Sequence, residues 1–191
     1  PAPMPALVAI YVAGADGANP HQVSTPPHGW EDHYPTWSKD GKTVVFERDR
    51  STDPAGPSKL VAVDVATRAE RLVYALPAWA PSGGIPKLSP DGSQILFTYW
   101  CVFGGSCPAA SHSARNARLA TVPSTGGAAA VLPLTILADS PGWSPDGTQV
   151  VFRCHTSRGR NNLCTSSPDG TNLKRFPWPL GSAHPDWGAH P

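Results

Sequence analysis

Charge is scarce in this chain. Asp, Glu, Lys and Arg make up 15% of its 191 residues and the formal net charge is +1, against about 25% charged residues in ordinary globular domains. A nucleic-acid protein would carry a basic stripe. The one basic cluster here is Arg153, Arg158 and Arg160, which reads as a solvated loop, so nucleic acid is not an expected partner. No apolar run approaches the roughly 20 residues that span a bilayer, so a membrane span is not expected. Leu7–Val12 has no basic segment before it and reads as a strand rather than a signal peptide. Met4 is not the first residue, and a mature or excised segment is expected.

Motifs of catalysis are also missing. The four cysteines show neither the C-x-x-C of thiol redox sites nor a zinc-type C-x₂₋₄-C. Gly142-Trp-Ser144-Pro-Asp146 misses the nucleophile elbow G-x-S-x-G by one residue, and no glycine-rich loop is placed to cradle a phosphate. The sequence therefore predicts no catalytic residues, no bound metal and no cofactor.

Proline and glycine are plentiful, at 23 and 18 residues. They fall between short apolar runs, as in chains of many strands joined by tight turns. The strongest unit is Trp143-Ser-Pro-Asp-Gly147 followed by Thr148-Gln-Val-Val-Phe152. Pro145 presets φ for a turn, Asp146 accepts from turn amides and Gly147 tolerates positive φ, while the flanking β-branched and aromatic residues favour strands. Tyr34–Phe46 and Ile85–Phe97 repeat this hairpin, with Asp40-Gly41 and Asp91-Gly92 in the place of Asp146-Gly147, and His184-Pro-Asp-Trp187 begins a fourth copy. Trp37, Leu88, Trp143 and Trp187 share one register, spaced 51, 55 and 44 residues apart, close to the period of propeller blades. A second half recurs as well: Ile10–Val23 aligns without gaps on Leu163–Phe176, and Leu60–Val73 and Leu119–Val131 are looser copies.

These units resemble the WD40-like Pro-Asp repeats of TolB-type β-propellers, whose signature is a proline, an aromatic, then Ser-Pro-Asp-Gly and an apolar strand. Two positions depart from it: Lys39 stands for proline in the first copy and Leu88 for tryptophan in the second. The predicted fold is all-β, a propeller of four-stranded antiparallel blades forming one domain over 1–191. A partial blade at 6–24 precedes full blades at about 34–74, 85–132 and 140–177, and a further blade starts at 184–191. The resemblance implies a segment of a ring of six or more blades.

In such a blade the stereotyped turns gather at one end. Longer connections, at 24–34, 47–58, 75–85, 99–116, 134–140, 153–161 and 177–184, gather at the other, the expected binding face. Trp30, Trp79, Trp100 and Trp178 lie there outside the repeat register, whereas Trp37, Trp143 and Trp187 read as packing between blades. Tyr34 and His184 precede repeat prolines, as Ile85 and Ser140 do, and would rim a central channel; His33 is adjacent. His28, His33 and His184 with Glu31 and Asp32 form the one constellation with metal-ligating chemistry, although no pair fixes ligands on one element. Asp40, Asp91 and Asp146 read as turn residues rather than cation ligands.

Of the three ways to pair four cysteines, Cys154–Cys164 with Cys101–Cys107 is expected, and disulfides imply an oxidising compartment. Resemblance to TolB implies an extracytoplasmic scaffold binding a protein or peptide. The alternative is an enzyme-associated propeller, either of the metal-dependent oligogalacturonate lyase kind or the gating propeller of a serine peptidase.

Overall fold

The computed structural model describes residues 8–50, 57–78, 80, 82–100, 117–155, 161–176 and 185–187. Among them there is no helix, and thus none long and apolar enough to cross a membrane. Three antiparallel four-stranded sheets follow one another in chain order. The first holds β3 (Trp30–Trp37), β4 (Thr43–Arg50), β5 (Lys59–Asp64) and β6 (Glu70–Ala75). β7 (Ser82–Leu88), β8 (Gln94–Trp100), β9 (Ala117–Pro123) and β10 (Ala130–Val131) make the second, and β11 (Leu137–Trp143), β12 (Val150–His155), β13 (Asn161–Ser166) and β14 (Lys174–Phe176) the third. A two-stranded half sheet, β1 (Tyr11–Val12) with β2 (His21–Gln22), precedes them. Among the described residues the sheets are blades of a propeller that does not close.

The runs Val44-Val45-Phe46, Ile95-Leu96-Phe97 and Val150-Val151-Phe152 are apolar without interruption because each second strand is covered on both faces. Val44 and Phe46 join Ile10 and Val23 of the half sheet, while Val45 turns the other way, toward Ile95 and Phe97 of the second blade. Leu96 in turn meets Val150 and Phe152 of the third. The three phenylalanines are fully buried and always face the preceding unit. That constant direction is what radial stacking about a shared axis produces. A two-layer sandwich would bury alternate residues only.

The turns are built alike. Ser38, Ser89 and Ser144 donate their hydroxyls to Asp40, Asp91 and Asp146 at 2.5–2.6 Å and accept from the amides of Thr43, Gln94 and Gln149 at 2.9 Å. Each aspartate also accepts an amide two residues on, from Lys42, Ser93 and Thr148. The serine hydroxyls, followed by these amides, lower all three carboxyls, Asp91 to about 2. Gly41, Gly92 and Gly147 take φ of 68–75°, a region closed to most side chains.

The inner strands begin earlier than the proline positions suggest, at Trp30, Ser82 and Leu137. Each passes through a bulge before its proline, where Tyr34, Ile85 and Ser140 hold φ of 52–55°. Positive φ on a β-branched residue such as Ile85 is costly and needs surroundings that enforce it. Because proline cannot donate to the ladder, the sequence reads as though the strand starts there; pairing resumes beyond the bulge instead.

Of the register tryptophans, Trp143 bridges two blades, its Nε1 donating to the carbonyl of Lys87 at 3.0 Å. Trp37 does not fit the expected packing role: it is 48% exposed. Among the described residues no inner strand stands before β3, so its ring has no blade to pack on.

Candidate functional site

The ends of the first and third blades opposite the turns carry clusters of charged side chains, joined in the first blade by Trp30. Trp30 opens β3 and Trp100 closes β8, so both are strand residues rather than the loop residues expected. Strand pairing sets Trp30 opposite Arg50, whose guanidinium lies 5.5 Å from the indole centroid, and the Lys59 ammonium approaches the same ring to 4.1 Å. Two cations on one indole hold it in place by attraction to the ring face. Tyr34 is 53% exposed at its bulge, its ring centroid 6.0 Å from that of His33. Trp79, Trp178, His184, Cys101 and Cys107 lie outside the described residues, as do Arg158 and Arg160.

His33 sits among carboxylates. Its Nε2 is 3.3 Å from Glu31 and 3.6 Å from Asp49, and one ligand atom from each of the three residues lies within 4.8 Å of the others. One nitrogen and two carboxylates are a donor set that a divalent cation accepts. Burial raises the Asp49 carboxyl, which His33 opposes and Glu31 reinforces. The metal constellation suggested by the sequence needs correction here. Asp32 is not a ligand candidate, because it is buried and forms a double hydrogen bond with Arg48, at 2.6 and 2.9 Å. Asp49, sixteen residues beyond His33 on β4, takes its place; cross-strand register found it and local spacing could not.

Arg48 also reaches Glu70 at 2.8 and 3.0 Å, and Glu70 accepts from the amide of Thr25 at 2.7 Å. This network ties the segment after β2 to the first blade. Burial works against the Arg48 charge, yet the two carboxylates outweigh it and raise its pKa. Burial likewise lifts Glu70, and Arg48 together with the Thr25 amide more than reverses it.

The third blade carries the same diagonal pair with signs exchanged. Asp139 occupies the His33 position and His155 the Asp49 position, with Nε2 to Oδ2 at 2.9 Å. Arg153 donates twice to Asp139, at 2.5 and 2.8 Å. Burial alone would raise Asp139, but bonds from His155 and Arg153 hold it at about 2. The counterpart of Arg153 in the first blade is Glu47, a buried acid pushed up to about 8 by desolvation, against the opposing effect of a Ser58 hydrogen bond. The third blade thus neutralises its acid internally. In the first, an imidazole is shared by two half-buried carboxylates.

Comparison with known proteins locates the fold. The chain matches a putative TolB from Agrobacterium tumefaciens at 19% identity, with a TM-score of 0.67 over 87% of this chain and 55% of that one. The architecture is that of a TolB-type β-propeller. An oligogalacturonate lyase in complex with manganese matches at 15% identity and TM-score 0.65, covering 88% of this chain and 47% of the lyase. A puromycin-hydrolyzing peptidase of Mycobacterium tuberculosis matches at 18% identity and TM-score 0.61, over 89% and 27%. The chain spans about half the length of the TolB and the lyase it matches. No protein-family model matches the sequence, and no curated protein matches it. Non-enzymes and enzyme-associated propellers share this fold, so the fold does not choose between them.

The Cys154–Cys164 disulfide joins β12 and β13, with the Cα atoms 5.8 Å apart. It is the pairing expected from the sequence.

Proposed function

We propose that this chain is a non-catalytic propeller module of an extracytoplasmic protein, binding a protein or peptide through the blade ends opposite the turns. The observation that carries this reading is Tyr34: an exposed aromatic on a strained, positive-φ bulge of the innermost strand, in ring contact with His33, on the strand that the cation-flanked Trp30 opens. Strain is retained where the surroundings enforce it and often where function uses it. An exposed tyrosine and a half-buried, cation-flanked tryptophan on one strand suit a protein interface. The TolB-type fold and the disulfide support the scaffold role and the oxidising compartment. The test is retention of partners from a cell-envelope extract on immobilised protein. Tyr34→Ala and Trp30→Ala should each weaken capture at least tenfold with Tm nearly unchanged. Capture unaffected by both changes would refute the reading.

A second reading rests on the Glu31, His33 and Asp49 cluster and on the manganese-bound lyase of similar fold. On that reading the chain binds Mn²⁺ and serves polysaccharide cleavage. Metal analysis of the purified protein, with an assay of uronate cleavage in the presence of Mn²⁺, decides it; absence of both metal and activity removes it.

A further inference from the structure

The two places where the sequence repeat is broken face each other across one seam. Between the second and third blades the seam is filled: the Trp143 indole donates to Lys87 O at 3.0 Å. Nearby, a Cβ on Gly147 would stand 3.6 Å from Pro90 Cδ, ordinary packing contact. Between the first and second blades both filling groups are replaced. Leu88 stands where the indole would be and Lys39 where the proline ring would be, and nothing lies within 4 Å of a Cβ placed on Gly92.

What results is a cleft of about 410 Å³ at the turn ends of the blades. Leu88 and Pro90 supply apolar surface, with Val45 buried behind them, and Lys39 and Arg71 are its cations. Arg71 is engaged, donating to Ser124 O at 2.7 Å across the seam. Asp40 and Asp91 also line it, but their own turns hold their carboxylates. Lys39 is therefore the charge best placed to meet a ligand.

We propose that this cleft is a receptor for one tryptophan side chain of a partner peptide, seated as Trp143 is seated in the next seam, with an acidic neighbour in the peptide. The fold itself supplies the template for the occupant, because an indole fills the equivalent space one blade later. A carboxylate beside the tryptophan meets Lys39 at the rim, where it adds charge complementarity to ring burial. This site lies at the opposite blade ends from Trp30 and stands independently of the function proposed above.

The experiment titrates ¹⁵N-labelled protein with the capped peptide Asp-Trp-Glu and, separately, with Asp-Leu-Glu. The tryptophan peptide should shift the amides of Lys39, Gly41, Leu88 and Gly92 and bind at least tenfold more tightly than the leucine peptide. Leu88→Trp fills the cleft with the repeat's own indole; it should raise Tm and weaken the tryptophan peptide at least tenfold. Lys39→Glu, at an exposed position, should weaken the acidic peptide several-fold and favour Lys-Trp-Lys, which keeps the proposal testable should Leu88→Trp fail to fold. Equal affinity for the two acidic peptides, shifts confined to the other blade ends, or unchanged binding by Leu88→Trp would each overturn it. Concentration-dependent self-association abolished by Leu88→Trp would assign the cleft to a second copy of this chain and overturn the peptide assignment.

Discussion

The carboxylate of Glu47 occupies the space in which a side chain at Gly84 would begin: a Cβ there would overlap the Glu47 oxygens. The acid projects from β4 of the first blade against the inner strand of the second, where the Gly83 amide and the Ser58 hydroxyl bond to it. At the next seam Thr98 holds the same position, its hydroxyl accepting from the amide of Ser140 at 3.1 Å. In both seams a polar side chain of one blade thus latches the inner backbone of the next.

Glu47 should make stability fall with rising pH. Its ordinary value is 4.5 and burial lifts it to about 8 in the folded chain. Between those values the folded state keeps a proton that the unfolded state has released, so stability declines through the window and levels off above it. Glu47→Gln should flatten that slope and stabilise the protein at pH 8 and above by on the order of 3 kcal/mol. Urea melts across pH 4–9 measure it. Gly84→Ala should destabilise by several-fold more in a Glu47 background than in a Glu47→Ala background, as a double-mutant cycle would read.

Arg48 is held by Asp32 and Glu70 and is itself buried. Arg48→Met strands a fully buried carboxylate, so a loss of about 3–5 kcal/mol is expected. Because Glu70 also accepts from Thr25, hydrogen exchange at Val23 and Thr25 should accelerate along with the global loss. Unchanged exchange there would show that the half sheet is anchored by its apolar contacts alone.

Reduction of Cys154–Cys164 opens a loop with a sequence separation of 10. Chain entropy assigns such a loop about 2.5–3 kcal/mol. The paired Cys154→Ala and Cys164→Ala variant should lose about that much in urea unfolding, plus the packing of two fully buried sulfurs.

The turn serines can be tested as a set. Ser38→Ala, Ser89→Ala and Ser144→Ala each remove one hydroxyl that donates to an aspartate and accepts an amide. Each should cost about 1 kcal/mol, and the three, a blade apart, should add. Thermal melts of the single and triple variants check both statements.

Asp139 should protect the third blade down to strong acid. Its carboxyl is held at about 2 against an ordinary 3.8, so its contribution is present above pH 3.8 and is lost as pH falls toward 2. His155→Ala should shrink that contribution, visible as earlier acid unfolding by near-UV circular dichroism.

Turn chemistry and the disulfide were legible along the chain because each is written in residues close together. Ser144, Asp146 and Gly147 bond within six residues, and Cys154 and Cys164 are neighbours on one hairpin. The bulges were hidden by their own prolines, which made strand starts at Trp30, Ser82 and Leu137 read as loop. Asp49 was missed as a companion of Glu31 and His33 because only cross-strand register joins them.

From the sequence alone came the fold: short-range turn bonds and a repeated pattern of apolar runs are local properties, and their resemblance to the Pro-Asp repeats of β-propellers implied sheet stacked upon sheet. Tertiary structure decided the chemistry of the surfaces. It withdrew Asp32 into an ion pair with Arg48, put Asp49 beside His33, and set Lys39 and Leu88 on opposite walls of one cleft. These are relations between strands and between blades, set by register and packing direction, and no order of residues along one strand contains them.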